Sequence, residues 1–401
     1  MPEVAGHGIE TPKYGFVDAL RGYAILLVMG CHALLSYSGL VWPVKRLASL
    51  GWHGVQLFFV ASSLTLLLSW TNRAGREARP AAAFFIRRVF RIAPMYYAAF
   101  LAYLVVVPPG AAFSLVHALA TLGFVNGWSP GLLSMVEGSW AAVPGSWSVA
   151  DEFGFYLFFP VLAGLITTLP RAVLALLLSL VAAFLLNRFA FQLWVGPYGW
   201  KATDQFLYYW LPNQLPVFMV GFCTFHALAR LHAPDGWVGA RGLIARHGSV
   251  LAALAWVGFF ALGYVVLPRK PVLTVPFLPV HVIAAMAFAV LTVALALAPR
   301  SPFNNRAIRA LGRVSFSAYL VHFGVIDLLG PAMPGVFALD ATGMEGIWRA
   351  TLFLAAVVGV TWLISAATFR IVEQPMIGLG KALCARLGAA RPIVAVRPAR
   401  S

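Results

Sequence analysis

Ten apolar stretches, separated by short polar connections, dominate this chain of 401 residues. A stretch of about twenty apolar residues, coiled as an α-helix, is long enough to cross the hydrocarbon core of a bilayer. Charged residues make up only 10% of the sequence, which argues against an ordinary soluble domain. We therefore predict an all-α, polytopic transmembrane helical bundle. The ten predicted spans cover about residues 17–37, 51–70, 92–108, 151–168, 171–188, 206–229, 249–267, 277–298, 314–331 and 347–371.

The distribution of lysine and arginine predicts the orientation of the bundle. With ten spans, 21 of the 29 cationic residues fall on one side, 7 on the other and Arg21 within a span. Such an excess marks the cytoplasmic side, so both termini are expected there, and the net charge of +16 needs no nucleic acid to explain it. An additional span near residue 117 would move the basic tail outside, so segment 117–127 is predicted to be interfacial or re-entrant. Residues 1–380 then form a single transmembrane domain, and residues 381–401 form a basic cytoplasmic tail.

Arg21 and His32 stand out within the first predicted span. They are eleven residues apart, which on a helix returns both to nearly the same face with a rise of roughly 16 Å. A snorkelling arginine beside an unrelated interior histidine is the simpler interpretation. Ionisable groups at membrane depth nevertheless usually face a polar interior and act in function. A desolvated neutral imidazole is suited to take a proton from a hydroxyl, and Asp18 lies one turn before Arg21.

A cluster of arginines precedes the third predicted span. Arg88 and Arg91 are three residues apart and share a helix face, with Arg87 beside them. Guanidinium groups bind phosphate through paired hydrogen bonds, so this cluster suits a phosphorylated ligand. A plain topogenic charge cluster explains the same residues.

A further segment places an aromatic and an acidic residue at the start of a predicted span. Trp147 and Glu152 stand where the outer loop 109–147, which holds no lysine or arginine, enters the fourth span. A solvated helix start also accounts for them.

Ser315, Tyr319 and His322 form one polar stripe on the ninth span, suited to line a cavity or to hydrogen-bond neighbouring helices. After the tenth span, segment 370–375 predicts a salt bridge between Arg370 and Glu373 and the end of the helix.

Taken together, these segments resemble the acyltransferase family 3 membrane proteins, which transfer acyl groups to extracytoplasmic carbohydrates and other acceptors. Six matches occur in order along nearly the whole chain. They are Arg21 and His32 within 18–32, segment 54–60, Arg88 and Arg91 followed by Pro94, Trp147 to Tyr156, segment 311–322, and segment 372–375. Three positions depart from the family pattern, namely Gln56 for Asp, Ser63 for Gly, and Asp151 for an apolar residue.

The resemblance implies an acyl-CoA donor, most simply acetyl-CoA, that binds from the cytoplasm as a substrate, with no tightly bound cofactor and no metal. It places the family's essential pair on Arg21 and His32, its arginine pair on Arg88 and Arg91, and its fourth-span acid on Glu152. We expect His32, Arg21 and Glu152 to be catalytic, with Glu152 orienting either the imidazole or the sugar. We expect Arg87 and Arg21 to assist in donor binding. The supporting or cavity-lining residues are expected to be Asp18, Trp147, Ser315, Tyr319 and His322.

The sequence therefore predicts a multi-pass O-acyltransferase of a bacterial inner membrane. Its expected acceptor is a hydroxyl of a cell-surface polysaccharide or of a lipid-linked precursor, and its other partners are acyl-CoA and membrane lipid, with no nucleic acid. One alternative keeps the enzyme but gives it a small-molecule acceptor such as a macrolide. Another is a transporter of an anionic substrate, because buried charge and a basic inner mouth suit that function too.

Overall fold

A computed structural model of the chain describes residues 14–107, 113–133, 140–266 and 278–389. The regular secondary structure of these residues is entirely helical, without a strand. The first seven α-helices are α1 (Gly15–Leu35), α2 (Trp42–Ser49), α3 (Gly54–Arg73), α4 (Pro80–Val106), α5 (Leu115–Leu122), α6 (Trp147–Leu165) and α7 (Leu169–Tyr209). They are followed by α8 (Leu211–His232), α9 (Val238–Val266), α10 (Val280–Leu297), α11 (Arg306–Arg313), α12 (Ser315–Ala332), α13 (Gly343–Thr368) and α14 (Gln374–Ala389). The all-α prediction is confirmed.

The helices form a multi-pass membrane bundle. Eight helical segments are long and apolar enough to span a bilayer, and α11 with α12, bent by 81°, makes a ninth. One of the eight, Leu169–His232, contains both α7 and α8. These two helices fold back on each other, since Asn187 of α7 donates a hydrogen bond to Asn213 of α8 over 2.9 Å. Helix length and composition thus give eight or nine candidate spans among the described residues, with α7 and α8 counted as one segment, and the number ten stays a prediction.

Short helices connect several of these spans. α5 has only eight residues, too few to cross a bilayer, in agreement with the interfacial or re-entrant segment predicted at 117–127.

The side of the membrane on which the termini lie stays a prediction. Residues 1–13 and 390–401, which include most of the predicted tail, lie outside the described residues, as do 108–112, 134–139 and 267–277. The predicted domain boundary at 380 falls within α14.

Two helix ends differ from the sequence prediction. α4 begins at Pro80 rather than near residue 92, so the arginine cluster lies within the helix. The predicted stop and salt bridge at 370–375 are wrong. A π-helical turn, Phe369–Glu373, joins α13 to α14, and it turns Glu373 into the interior, where the carboxylate accepts a hydrogen bond from Ser317 instead of pairing with Arg370. Pro375 is tolerated because it falls in the first turn of α14.

Helix α1 lies at the centre of the bundle and positions both residues of the Arg21 and His32 pair. It packs against α3, α11, α12 and α13, and its buried residues point in all directions around the helix. The contact with α11 is especially close. A Cβ atom at Gly312 would overlap the carbonyl oxygen of Asp18, and one at Gly22 would overlap that of Ile308.

Because α1 and α11 approach so closely, we predict that a single methyl group added between them destabilises the protein. We expect Gly312→Ala to destabilise the protein by about 1–3 kcal/mol, because the added methyl group forces α11 away from α1. Thermal unfolding in detergent would measure the loss. Gly359→Ala in α13 is the matched control, since a Cβ atom there has nothing within 4 Å. Equal midpoints for the two variants would contradict the role given to this contact.

Candidate active site

His32 faces a small cavity inside the bundle. The cavity measures about 40 Å³ and its walls come from α1, the segment before α3, α3, α6, α7 and α12. Its lining is mainly aromatic, with one buried amide, that of Gln56. The lining residues are Val28, His32, Trp52, Val55, Gln56, Gly145, Trp147, Tyr208, Tyr209, Tyr319 and Phe323. The imidazole, which is only partly exposed, therefore faces an interior cavity lined by protein side chains.

Three rings surround the imidazole of His32. The centroid of Phe323 lies 4.4 Å away, that of His322 5.5 Å away and that of Trp52 6.2 Å away. His322 is fully buried. A second histidine is thus placed beside the candidate base, in surroundings that exclude most water.

The polar stripe predicted on α12 divides between two environments. Tyr319 lines the cavity, and His322 lies against His32. Ser315 is buried but does not line this cavity. The Tyr319 hydroxyl donates to the carbonyl oxygen of Gly145 over 2.9 Å and accepts from Ser148 over 2.8 Å. Gly145 has a φ of 76°, which favours glycine at this position.

Arg21 opens onto a second and much larger cavity. This space measures about 650 Å³ and lies between α1, α3, α4, α11, α13 and α14. We call it the basic cavity, because five guanidinium groups line it. They belong to Arg21, Arg88, Arg91, Arg313 and Arg370, and Asp18 lines the same space. The predicted pair of Arg88 and Arg91 is therefore brought together with Arg21.

The groups around Arg21 are held by few direct bonds. Its guanidinium donates to the Thr65 hydroxyl over 3.2 Å and lies within electrostatic range of Arg88, Arg91 and Glu152. The Nε atom of Arg88 is buried and has no hydrogen-bond partner among the described residues. Such a cluster of cations presents unused donors to an anion.

Arg87 lies apart from this group. Its guanidinium forms a two-point ion pair with Glu77, with nitrogen–oxygen distances of 2.6 and 3.1 Å. It does not line the basic cavity. Because both terminal nitrogens of its guanidinium group already donate to Glu77, Arg87 has fewer hydrogen-bond donors available to a ligand than its neighbour Arg88.

Glu152 lies beside the arginines rather than beside the imidazole. Its Oε1 atom accepts hydrogen bonds from Ser62 and, over 2.5 Å, from Tyr156. Among the described residues it makes no hydrogen bond to His32, whereas it lies within electrostatic range of Arg21 and Arg88. Trp147, from the same helix, does reach the His32 cavity and packs against Tyr209 at 4.6 Å between ring centroids.

Sequence reasoning missed several residues of both cavities. It gave no ligand-binding role to Arg313 or Arg370, which line the basic cavity, although both lie in segments that it singled out. It also left out Trp52 and Phe323 at the imidazole. Only their positions, Trp52 two residues before the matched segment 54–60 and Phe323 one residue after segment 311–322, could have pointed to them.

The two cavities combine a base with an anion site on one helix. His32 is a proton acceptor in an apolar interior, and about 16 Å of α-helix separates it from Arg21. The pair therefore suits a ligand that carries negative charge at one end and reacts at the other.

The acyltransferase domain family matches residues 14–366 of this chain. The chain belongs to this family. It is an acyltransferase, and membership therefore favours catalysis over transport as the use of its buried charges.

Two curated proteins are similar to this acyltransferase over most of its length. The acyltransferase MdmB of Streptomyces mycarofaciens is 26% identical, over 94% of this chain and 93% of its own length. The peptidoglycan O-acetyltransferase OatA of Listeria monocytogenes is 24% identical, over 90% of this chain but only 55% of its own length. No solved structure matches the chain.

The basic cavity predicts stabilisation by phosphorylated anions. We expect inorganic pyrophosphate to raise the unfolding temperature of the detergent-solubilised enzyme, and we expect Arg91→Ala to weaken this effect. At 100 times the dissociation constant a ligand stabilises by about 2.7 kcal/mol, and removing one guanidinium from the site lowers that gain.

Arg87→Ala serves as the matched control, because this neighbouring arginine pairs with Glu77. An equal loss of the pyrophosphate effect in both variants would show that the anion binds by general charge and not in the basic cavity.

Proposed function

We propose that this enzyme is an O-acyltransferase of a bacterial inner membrane. It takes an acyl group, in the simplest case acetyl, from cytoplasmic acyl-CoA and transfers it to a hydroxyl of a cell-surface polysaccharide or of its lipid-linked precursor. The observation that carries this proposal is the placement of His32 and the basic cavity at two levels of one central helix, both facing the interior.

The spacing of the two sites supports a CoA thioester as donor. The phosphates of CoA and its reactive sulfur are separated by an extended pantetheine arm. Phosphates bound at Arg21, Arg88 and Arg91 would leave that arm to run along α1 toward His32. The basic cavity, at about 650 Å³, has the size usual for a site that holds a small organic ligand. The excess of cationic residues on the predicted inner side supports entry from the cytoplasm.

One of the two comparisons, that with OatA, supports a glycan hydroxyl as the acceptor. OatA is named for O-acetyl transfer to peptidoglycan, and both similar proteins come from bacteria. A glycan hydroxyl reaching the His32 cavity would meet an aromatic lining, which suits the apolar faces of a sugar ring.

His32 supplies the base that the reaction needs. Whether the acyl group passes directly or through an acyl-enzyme, the acceptor hydroxyl must lose its proton as its oxygen attacks a carbonyl carbon. The thiolate that leaves then needs a proton. A neutral imidazole performs both transfers in turn.

The proposed role of Glu152 is to balance the charge of the arginines and not to orient the imidazole. Held by Ser62 and Tyr156, its carboxylate offsets part of the positive charge of Arg21 and Arg88. Without it, the arginines would repel one another more strongly in a medium of low dielectric constant.

Removal of the imidazole tests the assigned base. We expect His32→Ala to lower transfer from acetyl-CoA by roughly 10²–10⁴-fold, the usual contribution of a general base, with the protein still folded and inserted. Acyl content of surface glycans and acetyl-CoA turnover by the purified enzyme are the two measurements. His247→Ala, which changes an exposed histidine, is the control. Normal glycan acylation in the His32 variant would refute the assignment.

The donor site is tested by comparing two neighbouring arginines. We expect Arg88→Ala to raise the KM for acetyl-CoA by about tenfold or more, because a charge-assisted hydrogen bond to phosphate is lost. Arg87→Ala should leave that KM nearly unchanged, since Glu77 already pairs with this residue. Unchanged donor binding in the Arg88 variant, measured by filter binding, counts against the donor site.

A further inference from the structure

We propose that His322 is a positioning residue for His32, because it fixes which ring nitrogen of His32 carries hydrogen and which faces the cavity. This inference rests on the proposed function of His32 as base. It adds a second histidine to the transfer step, in a role distinct from lining the cavity.

The hydrogen-bonding state of His322 follows from its backbone partner. Its Nδ1 atom lies 2.8 Å from the carbonyl oxygen of Tyr319. A carbonyl oxygen can only accept, so Nδ1 carries the hydrogen. In a neutral imidazole the other nitrogen, Nε2, is then an acceptor. The tautomer of His322 is thus set by the main chain of α12.

The Nε2 atom of His322 is a hydrogen-bond acceptor without a donor in the part of the chain that the structure describes. The residue is 0% exposed, and Nε2 has no hydrogen-bond partner among the described residues. Buried acceptors without partners are costly and uncommon. The Nε2 atom is thus available to accept a hydrogen bond from a donor on a neighbouring side chain.

His32 is placed to be that donor. The two ring centroids lie 5.5 Å apart, and an N–H···N bond of about 2.9 Å joins imidazoles whose centroids are roughly 5 Å apart. The ring of His32 makes no side-chain hydrogen bond elsewhere in the described part of the chain. A small reorientation of the His32 ring would bring one of its N–H groups to this acceptor, and the cavity beside the ring leaves room for that movement.

His322 is itself held from the opposite side. Tyr319, whose carbonyl oxygen fixes the ring, is anchored through its own hydroxyl to Gly145 and Ser148. The ring of Phe323 packs at 4.1 Å from that of His322 and at 4.4 Å from that of His32. The acceptor nitrogen is therefore in a fixed position, and the movable partner is His32.

This contact determines the direction of proton transfer. With one N–H of His32 donated to His322, the lone pair of its second nitrogen faces the cavity. That nitrogen takes the proton of the acceptor hydroxyl, the hydroxyl oxygen bonds to the carbonyl carbon of the thioester, and the carbon–sulfur bond breaks. The leaving thiolate then takes the proton from His32. The first N–H stays on His32 throughout, and His322, which accepts its hydrogen bond, stabilises the imidazolium that forms between the two transfers.

Two substitutions at one position test the proposal in the full-length enzyme in lipid nanodiscs. His322→Phe keeps an aromatic ring but removes the acceptor, and His322→Gln places an amide oxygen near the position of Nε2. We expect the Phe variant to lower kcat with acetyl-CoA by roughly 100-fold, with KM for acetyl-CoA unchanged. The Gln variant should recover about tenfold of that loss.

A spectroscopic measurement separates positioning from simple packing. With ¹⁵N-labelled histidine, the wild-type protein should show a single neutral tautomer for His32, assigned by the signals that vanish in His32→Ala. The Phe variant should show a mixture of both tautomers. Mixed tautomers in the wild type, a kcat within threefold of wild type for the Phe variant, or equal kcat values for the Phe and Gln variants would each overturn the proposal. If the wild type does not turn over acetyl-CoA, the donor assignment fails, and the tautomer measurement still decides the role of His322.

Discussion

Positive charge enclosed by apolar helices is the constraint on which the inner half of this bundle depends. Arg21, Arg88 and Arg91 line one cavity, and like charges in an interior of low dielectric constant repel each other far more than they do in water. Glu152 and Asp18 offset only part of that repulsion. The remaining charge is acceptable where an anion enters to balance it, so the same arrangement that costs stability without a ligand favours phosphate when one is present.

The close contact between α1 and α11 fixes the position of Arg21 relative to its neighbours, and with it the position of His32. Helix α1 meets α11 so closely that Gly22 and Gly312 have no room for a side chain. The backbone contact prevents α1 from sliding or turning relative to its neighbours. Arg21 and His32 therefore keep their separation, and in the proposed reaction a donor held by charge at Arg21 would present its thioester at the level of His32.

Much of this arrangement could be read from the sequence, because it follows from local geometry. Apolar runs of membrane length predicted the spans, and an eleven-residue spacing predicted that Arg21 and His32 share an interior face. Residues set by tertiary contacts were harder to predict. Arg87 and Arg88 are adjacent in the sequence, and only the position of Glu77 separates the paired arginine from the one that lines the cavity. The π-helical turn that carries Glu373 inward resembles an ordinary helix end in the sequence, because Pro375 follows it.

The departures from the family pattern show how tertiary packing accommodates a local change. Ser63 stands where the family usually has glycine, at a crossing of α3 and α8. The residue facing it on α8 is Gly221, where an added Cβ atom would contact the Ser63 side chain. The side chain of Ser63 on α3 thus occupies the space left by the missing side chain of Gly221 on α8. The two helices therefore keep their close contact. Gln56, the departure at the cavity itself, is held by Gln214 over 3.1 Å.

The difference in size between the two cavities bears on how the acceptor reaches His32. About 40 Å³ holds roughly three water molecules, which is enough for a hydroxyl group but not for a sugar ring. The basic cavity, in contrast, already has the volume of a ligand site. In the proposed reaction, an acceptor as large as a glycan would therefore displace aromatic side chains such as Trp52, Trp147 or Phe323 before its hydroxyl met the imidazole. Until then the aromatic lining would keep bulk water from the proposed thioester. Access to the proposed base would thus depend on the arrival of the acceptor, which would favour transfer over hydrolysis.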